Sequence, residues 1–149
     1  MATHYPLSEI NRNLHRLVFH MDKVAEDLLQ EHFGLTFSQF RMLMAVEKGG
    51  LSCQAHIAQF FGLTPAAISR QIDILTGKKL LIAKTNSNNR REHILELTSK
   101  GKESSKQAIE LLEKRFNQIY IILSKNEQKV FAESLEKLTQ EFCKKPPIN

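Results

Sequence analysis

The sequence predicts a mainly α-helical fold with one small β-hairpin. Apolar residues recur at helical spacing along most of the 149-residue chain. The period changes only between residues 80 and 97, where short alternating stretches replace it. Capping signals and Gly or Pro stand at the ends of the helical stretches, so each helix has a readable start and stop.

The first helix is expected from Ser8 to His32, with Ile10, Leu14, Leu17, Val18, Met21, Val24, Ala25, Leu28 and Leu29 at i, i+3, i+4 and i+7 spacing, and Gly34 just past its end. Thr36 and Gln39 have the spacing of a capping box, which starts a second helix carrying Phe40, Leu43, Met44 and Val46. Gly49-Gly50 stops it. Ser52 can cap a short third helix with Ile57, Ala58 and Phe61 on its apolar side, and Gly62 follows where a left-handed residue is wanted. Thr64 and Pro65 then suit N-cap and first helical position of a fourth helix running to about Lys78, with Ala67, Ile68, Ile72 and Leu75 facing in. Two strands, Leu80 to Thr85 and His93 to Leu97, flank a polar loop from Asn86 to Glu92. Thr98 begins a long fifth helix with Ala108, Leu112, Phe116, Ile119, Tyr120 and Leu123 on one stripe. Ser124 and Glu127 form a second capping box, so a sixth helix starts at about Lys125, lined by Phe131, Leu135, Leu138 and Phe142, and Pro146-Pro147 closes the fold. No repeat or linker interrupts the chain, and its length suits one domain with a real core.

Composition is ordinary for a globular protein, at 42% hydrophobic and 25% charged residues. The distribution of charge is not. The net charge is +5. The segment from Lys48 to Arg91 holds seven bases (Lys48, Arg70, Lys78, Lys79, Lys84, Arg90, Arg91) against one acid, Asp73, so it carries +6 while the rest of the chain carries −1. Such concentration is the electrostatic footprint of a nucleic-acid-binding surface.

The order of elements inside that segment points the same way. Two short helices meet across "FFGLT", and a hairpin follows the second. This is a winged helix-turn-helix, whose second helix lies in the major groove of double-stranded DNA with its N-terminal residues at base edges. Those residues are Thr64, Ala66, Ala67, Ser69, Arg70 and Gln71. Arg70 suits guanine O6/N7, Gln71 adenine, and the methyls of Ala66 and Ala67 the thymine methyl. Ser69 and Thr64 suit phosphate or base edges. The loop "TNSNNRRE" would project beside this helix over the adjacent minor groove, where an Arg is attracted by negative potential. Arg91 is read as the inserted side chain and Arg90 as a phosphate contact, with the reverse assignment open. Lys84 on the first strand and Asn89 in the loop complete the candidate DNA-binding set.

The stretch "FGLTPAAISRQIDILTGKKLLIAKTNSNNRREHILELTSKG" resembles the core of the MarR family of transcriptional regulators, and the resemblance extends over nearly the whole chain. Its specific part is the order of recognition helix, arginine-bearing wing and "LELTSKG". The resemblance implies a single domain over residues 1–149, with a winged core at about 36–98 and dimerisation helices at about 8–33 and 98–143. It implies a homodimer whose first, fifth and sixth helices interlace, reading a pseudo-palindromic operator. It implies a repressor that releases DNA when a small-molecule effector or an oxidant acts. Two positions depart from the family pattern. Asn89 stands where an Asp usually holds the wing arginine, and Lys79 stands where a Gly is common after the recognition helix, so a different turn into the strand is expected.

The dimer has independent support, because a winged core of about 60 residues cannot cover long apolar stripes on the first and last helices, whereas a two-chain helical bundle can. Half-sites about one helical turn apart, ~34–36 Å, follow from two-fold geometry. The alternative reading is a winged-helix protein-interaction module without DNA binding, which an apolar recognition-helix face or an uncharged wing would favour.

Other readings are weaker. Cys53 and Cys143 are far apart with no CxxC or Cys/His cluster, so neither a disulfide framework nor a zinc site is expected. Cys53 sits where a helix N-terminus can lower a thiol pKa. The reactive Cys of peroxide-sensing family members lies in the first helix, where this chain has none, so Cys53 reads as structural. His15 and His20 are five apart on a helix, and His32, His56 and His93 have no visible partner, so no metal is expected. Tyr5, Phe19, Phe33, Phe37 and Phe40 read as core before they read as an effector pocket. There are no paired carboxylates, no Gly-rich phosphate loop and no nucleophile–base signature, so no enzyme and no cofactor are expected. No apolar run approaches the ~20 residues of a membrane span, and no signal-peptide h-region is seen, so a cytoplasmic protein is expected.

Overall fold

The structure, a computed structural model, describes residues 6–48, 54–85 and 93–144. Six helices and one hairpin follow one another as α1 (Leu7–Phe33), α2 (Phe37–Glu47), α3 (Gln54–Phe61), α4 (Pro65–Gly77), β1 (Leu81–Thr85), β2 (His93–Leu97), α5 (Ser99–Tyr120) and α6 (Lys125–Cys143). The chain divides into two compact units, residues 1–112 and 113–149, the division falling within α5.

The helix boundaries lie where the capping chemistry puts them. Thr36 Oγ1 accepts from the Gln39 backbone N–H at 3.1 Å, and the Thr36 N–H donates to Gln39 Oε1 at 3.1 Å, a complete capping box. Thr64 accepts from the Ala67 N–H at 3.2 Å, with Pro65 in the first turn. Gly34 closes α1 in the left-handed conformation. Gly62 turns the chain between α3 and α4 at φ 62°, a value that a residue without a Cβ adopts at no steric cost. The capping assigned to Ser52, the stop at Gly49-Gly50 and the turn at Pro146-Pro147 lie outside the described residues.

In the first unit the core is built from one face of each element. Leu29 of α1, Met42 and Leu43 of α2, Ile57 of α3, Ile68 and Leu75 of α4, Leu81 of β1 and Leu95 of β2 are all essentially inaccessible to solvent. The strands pair antiparallel from Leu81↔Leu97 to Thr85↔His93. Leu95 and Leu97 point inward while Glu96 between them is exposed, the period-2 alternation expected of a half-buried ribbon. α2 and α3 both pack on β2, and α4 packs on β1, so the hairpin is seated on the helix-turn-helix unit.

The start of α5 is held against the end of the α4–β1 turn. Thr98 Oγ1 accepts from the Gly101 N–H at 2.9 Å as an N-cap and donates to the Lys79 carbonyl at 2.7 Å. A Cβ on Gly101 would lie 2.1 Å from the Leu80 carbonyl oxygen, so no larger residue fits this crossing. Lys79 has φ 60°, the left-handed region that glycine favours. A different turn was expected at this non-glycine position; instead the lysine itself takes up the glycine-like conformation, at a steric cost.

In the second unit α6 begins at Ser124, whose capping box with Glu127 is complete. Gln128 Nε2 donates to the Tyr120 and Leu123 carbonyls at 3.1 and 2.9 Å, fastening the α5–α6 corner. Tyr120, Leu123, Phe131 and Leu135 line a cavity of about 310 Å³ there. No residue of α6 is buried, and Leu138 and Phe142 of its apolar stripe are exposed.

Candidate nucleic-acid interface

The helix-turn-helix presents one face of α4 outward. Ile68, Ile72 and Leu75 anchor the helix in the core. Opposite them Ala66, Arg70, Asp73 and Gly77 are exposed, at spacings of four, three and four residues that stack them on a single stripe. Arg70 has no hydrogen-bond or ion-pair partner among the described residues, so its guanidinium is available to an outside acceptor.

The other residues assigned to DNA from sequence are placed in several ways. Thr64 is exposed and already serves as the helix cap. Ala66 is exposed and Ala67 half-buried. Ser69 is half-buried, and its hydroxyl accepts from Gln54 Nε2 of α3, which also reaches the Pro65 carbonyl at 3.4 Å. Gln71 is half-buried, and its Oε1 accepts from Gln39 Nε2 at 3.1 Å. Ser69 and Gln71 therefore also fasten α4 to α3 and α2. Lys84 is exposed on β1, with its ammonium 2.6 Å from Glu96 Oε2 across the hairpin. So exposed a pair contributes ~1 kcal/mol or less, and the lysine can exchange its carboxylate for a phosphate. Asn89, Arg90 and Arg91 lie outside the described residues, as does Cys53; the paired residues Thr85 and His93 stand on either side of the wing loop.

Three features were not anticipated from sequence. Gln39, buried as only polar groups with partners should be, uses its carbonyl in the α2 capping box and its amide on Gln71, joining the start of α2 to the recognition helix. Lys78, at the end of α4, donates to the Gly34 carbonyl at 2.9 Å, so one base of the +6 segment is engaged within the fold. Asp73 lies on the outward stripe beside Arg70. The spacing 66, 70, 73, 77 holds that last signal in the sequence; long-range partners such as Gln39–Gln71 have none.

Five aromatic residues considered for a pocket do not share one environment. Phe40 is in the core with Phe37 stacked on it at 6.5 Å, Phe33 is half-buried, Phe19 is exposed, and Tyr5 is outside the described residues. Among the described residues no group of three or more His, Cys, Asp or Glu could hold a metal. No described helix is long and apolar enough to cross a membrane.

Comparison with known proteins places this geometry. The family model of the MarR family matches residues 33–92, the span from the end of α1 to the wing. A curated relative, the HTH-type transcriptional regulator YhbI of Bacillus subtilis (strain 168), is 25% identical over 88 residues, covering 59% of this chain and 57% of its own length. The match thus spans little more than half of that relative. Among solved structures, wild-type MarR in its apo form from E. coli superposes with a TM-score of 0.80 at 20% identity, covering 91% of this chain and 97% of that one. The YusO protein of Bacillus subtilis gives 0.73 at 23% identity, covering 90% and 94%, and the transcriptional regulator BldR of Sulfolobus solfataricus 0.73 at 22%, covering 89% and 94%. Residues 33–92 are thus similar to the helix-turn-helix core of the MarR family, and over nine-tenths of its length the chain has the winged-helix fold of the solved MarR structures.

Proposed function

We propose that this chain is a homodimeric, sequence-specific DNA-binding transcriptional regulator, a repressor on a pseudo-palindromic operator that a small-molecule effector releases. The observation that carries the DNA-binding reading is the exposed stripe of α4, with Arg70, unpaired among the described residues, at its middle, inside a segment of charge +6. An exposed arginine on the second helix of a helix-turn-helix is the side chain best suited to a guanine in the major groove. Arg91 enters the neighbouring minor groove and Arg90 holds a phosphate. Ser69 and Gln71 set the rotation of α4 as well as lying near its DNA-facing end.

The dimer is supported by apolar surface that one chain leaves open. Leu17 and Val18 of α1 are 41% and 48% exposed, and Val130 and Phe142 of α6 52% and 86%. Surface of this kind on helices outside the winged core is what a second copy would bury. The effector and the sign of regulation rest on the family resemblance alone.

The test is fluorescence anisotropy of the purified chain on DNA from upstream of its own gene and on scrambled DNA, across a salt series. Selective binding that weakens steeply with salt is expected. Arg70→Ala should lose about 1–3 kcal/mol on the preferred DNA and little on the scrambled DNA. The Arg90→Ala/Arg91→Ala double variant should bind both more weakly, with a salt slope shallower by about one to two. If binding fragments selected from the whole source genome share no sequence, and neither variant changes affinity, the regulator reading fails and the protein-interaction module takes its place.

A further inference from the structure

We propose that Asp73 is a specificity-determining residue of the α4 face, its carboxylate accepting a hydrogen bond from the exocyclic amine of a cytosine within about two base pairs of the base read by Arg70. The inference rests on the DNA-binding reading above and names what that face selects.

Asp73 is the one acid in the segment from Lys48 to Arg91. It is exposed, on the same stripe as Ala66 and Arg70, and in no ion pair or hydrogen bond among the described residues. Arg70 lies three residues back on the same helix surface, yet no ion pair joins it to Asp73 among the described residues. It lies in the interior of a helix running Pro65–Gly77, too far from the N-terminus to cap it, and Asp is a poor helix former in that position. Facing DNA, a carboxylate is repelled by every phosphate around the groove. The base-edge group in the major groove that repays a carboxylate without an accompanying acceptor is the cytosine N4 amine, a pure donor. The separation also fits. Three helical residues advance about 4.5 Å along the axis, against ~3.4 Å per base step, which puts Arg70 and Asp73 over neighbouring pairs.

An aspartate side chain is short, so the helix must lie deep in the groove to use it. The same stripe allows this. Its ends are Ala66 and Gly77, and a Cβ added at Gly77 would meet nothing within 4 Å. Gly77 is not in the left-handed conformation; Lys79, two residues on, takes that up. Neither packing nor backbone geometry in the free protein asks for a glycine at 77, whereas close approach of a groove wall does.

The experiment is selection from a randomised duplex library with the full-length wild type and the variants Asp73→Ala, Asp73→Asn and Arg70→Ala, with thermal melts to verify folding. The wild-type motif is expected to hold a cytosine column within two positions of the guanine column that Arg70→Ala erases. Asp73→Ala should flatten that cytosine column by about tenfold, leave the guanine column in place, and bind scrambled DNA more tightly because a repulsive charge is gone. Asp73→Asn, which keeps the side chain's shape, should admit adenine in the same column, since an amide pairs with adenine N6/N7. Gly77→Ala should melt higher and bind the selected DNA less tightly. If Asp73→Ala and Asp73→Asn return the wild-type motif column for column while Arg70→Ala alters it, the Asp73 assignment is overturned and the regulator reading stands. If the wild type selects no motif at all, both fall together.

Discussion

Lys79 is a single residue whose backbone works against its own side chain. Its φ of 60° places Cβ against the carbonyl in the way that disfavours left-handed conformations for every residue but glycine. The conformation persists because its carbonyl must meet the Thr98 hydroxyl, 2.7 Å away. Lys79→Gly should relieve the strain, offset in part by the greater freedom of glycine in the unfolded chain. A net gain of about 0.5–1 kcal/mol is expected, seen as a melting temperature higher by ~2–4 °C. Ser105 offers the opposite case, a hydroxyl with no exposure and, among the described residues, no hydrogen-bond partner on the buried face of α5. Ser105→Ala removes an unsatisfied polar atom and should stabilise by about 1 kcal/mol in denaturant titration. A loss of stability would show that the hydroxyl has a partner in solution.

Between elements, the crossing of α5 over the α4–β1 turn positions the wing. Thr98 caps α5 and holds the turn, and Gly101 lets the helix backbone reach the Leu80 carbonyl. Gly101→Ala forces a Cβ into that oxygen and should cost about 2–3 kcal/mol. In the folded fraction the hairpin must shift, so DNA affinity should fall even under conditions where the variant remains folded. At the other end of α5, the α6 capping box carries a pH dependence. Hydrogen bonds from the Ser124 side chain and backbone hold the Glu127 carboxyl below its ordinary value of 4.5. A lowered folded-state pKa means that its contribution is complete above about 4.5 and is lost as pH falls through the folded-state value. Glu127→Gln should therefore narrow the stability difference between neutral and acid pH. The effect should be small, because the group is fully exposed.

Across the whole molecule the exposed apolar residues are distributed unevenly. Most lie on α1 and from the end of α5 through α6, with Phe60, Leu63 and Ile82 in the winged core, and long exposed apolar helix surface is what a second chain would cover. Leu17→Glu should therefore lower the mass measured by light scattering from that of two chains to that of one, and make the melting temperature independent of protein concentration. An unchanged mass would place the dimer surface elsewhere or remove it.

The six helices, the hairpin and the starts of α2, α4 and α6 were legible in the sequence alone, because caps and periodicity are local: Thr36 with Gln39, Thr64 with Pro65 and Ser124 with Glu127 act within a turn of the helix they start. The basic segment and the helix that bears Arg70 were legible for the same reason, as order and charge along the chain. What only the tertiary structure decided is which side chains remain free for a partner. Ser69 and Gln71, expected at phosphate or base edges, also make internal hydrogen bonds with Gln54 and Gln39, fifteen and thirty-two residues away. Lys78 counts as surface charge until it is found on the Gly34 carbonyl, and Gly101 as an ordinary helix residue until Leu80 is found against it. Hydrogen bonds and close approaches across such separations are fixed by packing, which periodicity along a single helix does not encode.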